Sequence, residues 1–121
     1  MPLASLAREP FVLFPREAGA WLYDGIVGFC RRAGFVPRIE QEAIQMQTIV
    51  SLVAAGMGVA LVPASLHHLR RTGVVYRPLK EKSPAVEIGL AHRAHDESPL
   101  TRAFVAEARE RARAADLRRP R

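Results

Sequence analysis

The chain has 121 residues, 49% of them hydrophobic and 25% charged, with a formal net charge of +6. That balance suits one soluble globular domain with a modest core and excludes two full domains. No stretch approaches the roughly 18 to 20 apolar residues of a membrane span, and Met1 to Arg16 lacks the charged-then-apolar order of a secretory leader, so a cytoplasmic location is expected.

In chain order, "PFVLFP" (Pro10 to Pro15) is a short apolar run bounded by prolines, which predicts a strand buried on both faces. From Glu17 to Ala33, Leu22, Ile26, Phe29, Cys30 and Ala33 recur at helical spacing, Arg31 and Arg32 fall in the last turn, and Gly34 supplies a stop. "RIEQEA" alternates Ile39, Gln41 and Ala43 with Arg38, Glu40 and Glu42, a period of two expected of a strand near a sheet edge. Gln45 to Ala55 returns to helical character and ends at Gly56, and Val59 to Val62 reads as a second wholly apolar strand closed by Pro63. Strand, helix, strand, helix, strand with such short connections is a βαβαβ unit, so the fold class is α/β with a parallel sheet flanked by helices.

Beyond Pro63 a short helix through Leu66 and Leu69 precedes "VVYRPL" (Val74 to Leu79), and the polar "KEKSPA" reads as a surface loop. "VEIGLAH" alternates Val86, Ile88 and Leu90 with Glu87, Gly89 and Ala91, which predicts another strand. Ser98 and Pro99 form an N-cap and first-turn pair for a C-terminal helix whose apolar stripe is Leu100, Ala103, Phe104, Ala108, Ala112 and Ala115. From Ser98 onward the balance of charge is +4, but the arginines are interleaved with glutamates and no aromatic residue follows Phe104. A solvated helix face accounts for this better than a nucleic-acid surface, which would want stacking side chains.

The glycines of "LVAAGMGVALVP" follow a helix and precede a strand. A dinucleotide cradle needs the opposite order, because the free amides of a helix N-terminus hold the pyrophosphate. Gly56 and Gly58 are therefore expected to be structural: Gly56 caps the helix in the left-handed conformation and Gly58 lets the chain pass closely into the sheet.

With "EPFVLFPR" before it and "VVYRPL" and a final helix after it, "QTIVSLVAAGMGVALVPAS" resembles the effector-binding (substrate-binding) domain of LysR-type transcriptional regulators, over Glu9 to about Leu117. "PFVLFP" is similar to regulators of aromatic and chloroaromatic catabolism. The resemblance implies a fold of the type 2 periplasmic-binding-protein kind: two α/β subdomains joined by crossing strands, with effector bound between them. It places residues 1–91 as subdomain II with hinge strands, and residues 92–121 as the return segment and C-terminal helix that pack on subdomain I. The winged helix-turn-helix that begins such regulators does not precede Met1, so the resemblance implies a fragment that reaches DNA only through a domain missing from the chain. The terminal helix would then expose Leu100, Phe104 and Ala108, which are expected to form an interface with another chain, making a homo-oligomer.

Ligands of parallel α/β sheets bind beyond the carboxyl ends of the strands. Here that edge carries Pro15, Arg16, Glu17 and Ala18 after the first strand, Gln47 and Thr48 at the second helix, and Pro63 after the third strand. The amides of Arg16 to Ala18 suit a carboxylate, Arg16 adds a charge-assisted bond, and Gln47 and Thr48 suit polar substituents. The plainer alternative makes Arg16 and Glu17 solvated loop residues and gives Gln47 or Thr48 a helix-capping role. Trp21 and Tyr23 border either the cleft or an interface.

His67 and His68 point to different sides of a helix, and His92 and His95 lack a third ligand, so no metal is expected. Cys30, the sole cysteine, allows no internal disulfide and reads as a core thiol. No catalytic cluster and no cofactor motif is present, so an enzyme is not expected. The function expected is a sensor of a small organic anion that regulates transcription. A transport-type solute-binding domain on the same fold is the alternative.

Overall fold

The structure, a computed structural model, describes residues 1–86 and 89–117. It divides into two compact units, Met1–Val86 and Glu87–Arg121.

In the first unit, strand β1 (Pro10–Leu13) pairs in parallel with β2 (Arg38–Glu42). On its other side β1 meets Val59, again in parallel: the Val12 amide donates to the Val59 carbonyl and the Val59 amide to the Pro10 carbonyl, each at 2.9 Å. β1 is thus the central strand. Phe11 and Leu13 on one face and Val12 and Phe14 on the other are all at most 4% exposed. β2 lies at the edge with Arg38, Glu40 and Glu42 exposed and Ile39 and Gln41 half-buried. Its register shifts by one residue opposite Phe11 and Val12, which leaves Glu40 as the extra residue, paired with Arg38 at 2.7 Å. The Val59–Val62 run differs from expectation: it makes a single bridge instead of a ladder, although Ala60, Leu61 and Val62 pack on the core.

Helix α1 (Ala20–Arg32) connects β1 to β2, and α2 (Met46–Ala54) connects β2 to Val59. Ile26, Phe29 and Cys30 of α1 and Ile49 and Val50 of α2 are buried, which is the face their spacing predicts. Both helices close in the same way. After α1, the Gly34 amide bonds the Arg31 carbonyl and the Phe35 amide bonds that of Cys30; after α2, Gly56 bonds Val53 and Met57 bonds Leu52. These are paired Schellman caps, each with a left-handed glycine (φ 95° at Gly34, 82° at Gly56). A 3₁₀ turn over Ala64–His68 replaces the short helix expected there. Residues 1–3 run beside residues 78–81. The Met1 amine donates to the Pro78 carbonyl, the Lys80 amide to the Met1 carbonyl, and the Leu3 amide to the Glu81 carboxylate. Leu3 is fully buried.

The second unit is dominated by α3 (Pro99–Leu117). Its first turn is closed by Ser98, whose hydroxyl accepts from the Thr101 amide at 3.4 Å. Asp96 accepts from the Ser98 amide and the Thr101 hydroxyl, each at 2.9 Å. The strand expected over Val86 to His92 is not formed at Val86 or at residues 89–92, while Glu87 and Ile88 lie outside the described residues. An alternating run becomes a strand only against an open sheet edge, and the unit offers none among its described residues.

Candidate functional site

Parallel pairing fixes where the loops go. The Ala43 amide donates to the Leu13 carbonyl at 3.2 Å, so β1 and β2 finish side by side, and the Val59–Val62 segment runs in the same direction. The residues after each strand therefore leave the sheet at one end: Pro15 to Gly19, Ala43 to Thr48, and Pro63 to Leu66. Every effector-site residue expected from the sequence belongs to one of these three segments.

The local geometry corrects part of that expectation. The helix expected from Glu17 begins instead at Ala20, after a 3₁₀ turn over Arg16–Ala18. Within that turn the Ala18 amide donates to the Pro15 carbonyl at 2.9 Å, so it is already bonded and is not free for a carboxylate. Among the described residues, the first-turn amides of α1 without a partner belong to Ala20, Trp21 and Leu22, because its first internal bond runs from the Tyr23 amide to the Gly19 carbonyl. Gly19 at the N-cap was the signal in the sequence: it follows the proline-led turn and is acceptable at a cap.

In α2 the cap position belongs to Gln45, with no side-chain cap bond, so neither Gln47 nor Thr48 is a cap. Both are exposed in the first turn. The Gln47 carbonyl accepts from the Ser51 hydroxyl at 2.8 Å, which leaves its side-chain amide unaffected. Pro63 is half-buried and precedes the Ala64–His68 turn, while Glu17 and Ala18 are exposed and Pro15 half-buried. Thus α1 and α2, of 13 and 9 residues, both begin at the same end of the sheet without side-chain caps. The positive ends of their dipoles favour an anion there.

Arg16 has a partner that the sequence reading missed. Its Nε and Nη2 donate to the two carboxylate oxygens of Asp24 at 2.9 and 2.8 Å. The hydrogen bond and charge of Asp24 push the guanidinium pKa up, and those of Arg16 hold the Asp24 carboxyl below its ordinary value. A separation of eight residues matches no helical pairing interval, so only the turn between the two reveals it. Trp21 and Ile44 also stand at this end of the unit, 65% and 72% exposed. Tyr23 is half-buried and meets the Phe14 ring edge-on.

A shallow groove of about 340 Å³ runs along α1 and the start of β2, lined by Tyr23, Val27, Arg31, Val36, Pro37 and Ile39. None of Pro15 to Ala18, Gln47, Thr48 and Pro63 lines it; it adjoins Arg16 through that residue's partner Asp24. In the second unit Leu100 and Phe104 are 83% and 64% exposed, whereas Ala108, expected to be exposed with them, is half-buried. His67, His68, His92 and His95 are exposed, and no group of three or more metal-ligating side chains occurs among the described residues. No helix among the described residues is long and apolar enough to cross a membrane.

Comparison with known proteins agrees with this architecture. The sequence model of a family described as the LysR substrate binding domain matches residues 1–113. The HTH-type transcriptional regulator IlvR of Caulobacter vibrioides is 48% identical over 99 residues, covering 82% of this chain and 33% of that protein. The uncharacterised HTH-type transcriptional regulator YnfL of Escherichia coli is 40% identical over 103 residues, 84% of this chain and 35% of its own length. The HTH-type transcriptional regulator AlsR of Bacillus subtilis is 35% identical over 103 residues, 85% of this chain and 34% of its own. The chain spans about a third of the length of these relatives. The family match over residues 1–113 and these relatives show that the chain belongs to the LysR substrate-binding-domain family.

Proposed function

We propose that the chain is the effector-sensing part of a LysR-type transcriptional regulator and that it takes a small organic anion at the carboxyl end of its sheet. The observation that carries this reading is the shared origin of α1 and α2, two helices without side-chain caps, beside Arg16. Gln47 and Thr48 supply polar contacts from the first turn of α2, and Pro15, Glu17, Ala18 and Pro63 form the surrounding rim. Exposed Trp21 and Ile44 add apolar surface, which favours aromatic carboxylates among the anions, in line with the "PFVLFP" resemblance. In a whole regulator, a second lobe encloses the effector and the bound state shifts the arrangement of the DNA-binding parts. Leu100, Phe104 and Ala108 form a contact with a second chain, for which the exposure of the first two is the support.

Titration of the isotopically labelled chain with a panel of aromatic and aliphatic carboxylates, followed by amide shifts, tests the site. Perturbations centred on residues 15–22, 44–48 and 63–65 are expected, with weak affinity. Perturbations confined to the groove between α1 and β2, or none at saturating ligand, defeat the assignment. A strictly monomeric sedimentation profile at micromolar protein defeats the contact through α3.

A further inference from the structure

The edge of Arg16 best suited to an anion already holds one. Two near-parallel bonds from Nε and Nη2 to both oxygens of Asp24 are the strongest arrangement a guanidinium offers a carboxylate. Both side chains are more than half exposed, 58% and 56%, so water screens the pair and opening it costs little. Arg16 lies in the turn after β1 and Asp24 on α1, so a rotamer change at either residue opens the fork without moving the backbone. Glu17 and Tyr23 also lie close enough to act on the charge of Arg16, but neither is bonded to its fork.

We propose that Asp24 is a built-in competitor for the anion site: a ligand carboxylate takes the Nε–Nη2 edge of Arg16 only by displacing the Asp24 carboxylate. The competition raises the ligand concentration at which the site fills. It also favours ligands that present two coplanar oxygens, as Asp24 does, over anions that offer one. The inference rests on the assignment of Arg16 to the ligand-facing rim. An anion that instead approaches Nη1 from the far edge leaves Asp24 in place, and the experiment separates the two cases.

The test is a benzoate titration at pH 7 and fixed ionic strength, following the Arg16 Nε–Hε resonance in the wild-type chain, in Asp24→Asn and in Glu42→Gln. Asp24→Ala is a second variant in case the new amide oxygen keeps a bond to Arg16. Glu42 is exposed at the end of β2, and its replacement removes one negative charge from the same end of the sheet without touching the fork. A saturable shift is expected in all the proteins. The dissociation constant should fall about three- to fivefold in the Asp24 variants, the range set by a good exposed ion pair, and stay within about twofold in Glu42→Gln. Equal constants in wild type and both Asp24 variants overturn the competitor role while leaving Arg16 as an anion contact. Equal gains in the Asp24 variants and Glu42→Gln overturn it too, because long-range charge then suffices. No saturable shift at Arg16 in any protein overturns the rim assignment and the competition together.

Discussion

Gly58 lies directly against the carbonyl of Pro10: a Cβ at residue 58 would stand 2.9 Å from that carbonyl carbon and nearer still to its oxygen. The same oxygen accepts the Val59 amide, so the approach that forbids a side chain is the one that joins the third segment to β1. Gly56, two residues earlier, is also at positive φ, but a Cβ there meets nothing within 4 Å. Replacing Gly56 by alanine should therefore cost only the left-handed conformation, about 1–2 kcal/mol. Gly58→Ala adds backbone overlap and should cost at least about 3 kcal/mol. Urea unfolding of the two variants checks the ranking, and equal losses would show that the close approach is not what Gly58 serves.

Removing a ring from the central strand should cost far more than trimming the surface. Phe11 is 1% exposed and stacks obliquely near Phe35, with ring centres 6.0 Å apart. Phe11→Ala should lower stability by about 3–5 kcal/mol, whereas Val36→Ala, at a residue 65% exposed, should stay within about 0.5 kcal/mol. Denaturant midpoints at constant slope measure both.

Cys30 is fully buried on the inner face of α1, and burial pushes its thiol pKa up. The thiolate is the reactive form, so a disulfide reagent at neutral pH should modify native Cys30 only as fast as the chain opens. As the sole cysteine, it gives a single reaction to follow. Modification in native buffer at the rate seen in denaturant would contradict the packing of α1.

Asp24 and Asp96 should both titrate below the ordinary aspartate value. Asp24 is held down by Arg16, and Asp96 by the Ser98 amide and the Thr101 hydroxyl. For a carboxylate whose folded pKa lies below its unfolded one, the stabilisation is complete above the unfolded value, about 4, and is lost as pH falls through the folded value. Carboxyl carbon shifts against pH should show both residues with midpoints below those of aspartates that have no such partner. The Asp24 curve should return to the ordinary range in Arg16→Ala while that of Asp96 stays unchanged.

Local signals in the chain were read correctly where they act locally. The helical spacing of Ile26, Phe29 and Cys30, the stops at Gly34 and Gly56, and the cap at Ser98 each depend on residues within a turn or two. The run Phe11 to Phe14 could be assigned to the sheet centre because it is apolar throughout, and β2 to the edge because it alternates. Signals that need a distant partner were read less well. "VEIGLAH" has the pattern of a strand, yet its described residues find no edge to join, and Val59 to Val62 pairs at one point only. At the candidate site, the shared end of the sheet was legible from strand order. The start of α1 at Ala20 and the grip of Asp24 on Arg16 were not, because a 3₁₀ turn of three residues sets both.

By itself, then, the sequence determined the alternation of β1, α1, β2 and α2 and the helix stops at Gly34 and Gly56, since spacing, capping and backbone freedom are properties of neighbours. Only the tertiary structure decided how far the third segment pairs and which charged group Arg16 holds. Those outcomes depend on where separate turns bring their atoms, and a hydrogen bond has a reach of about 3 Å that no pattern of residue types specifies.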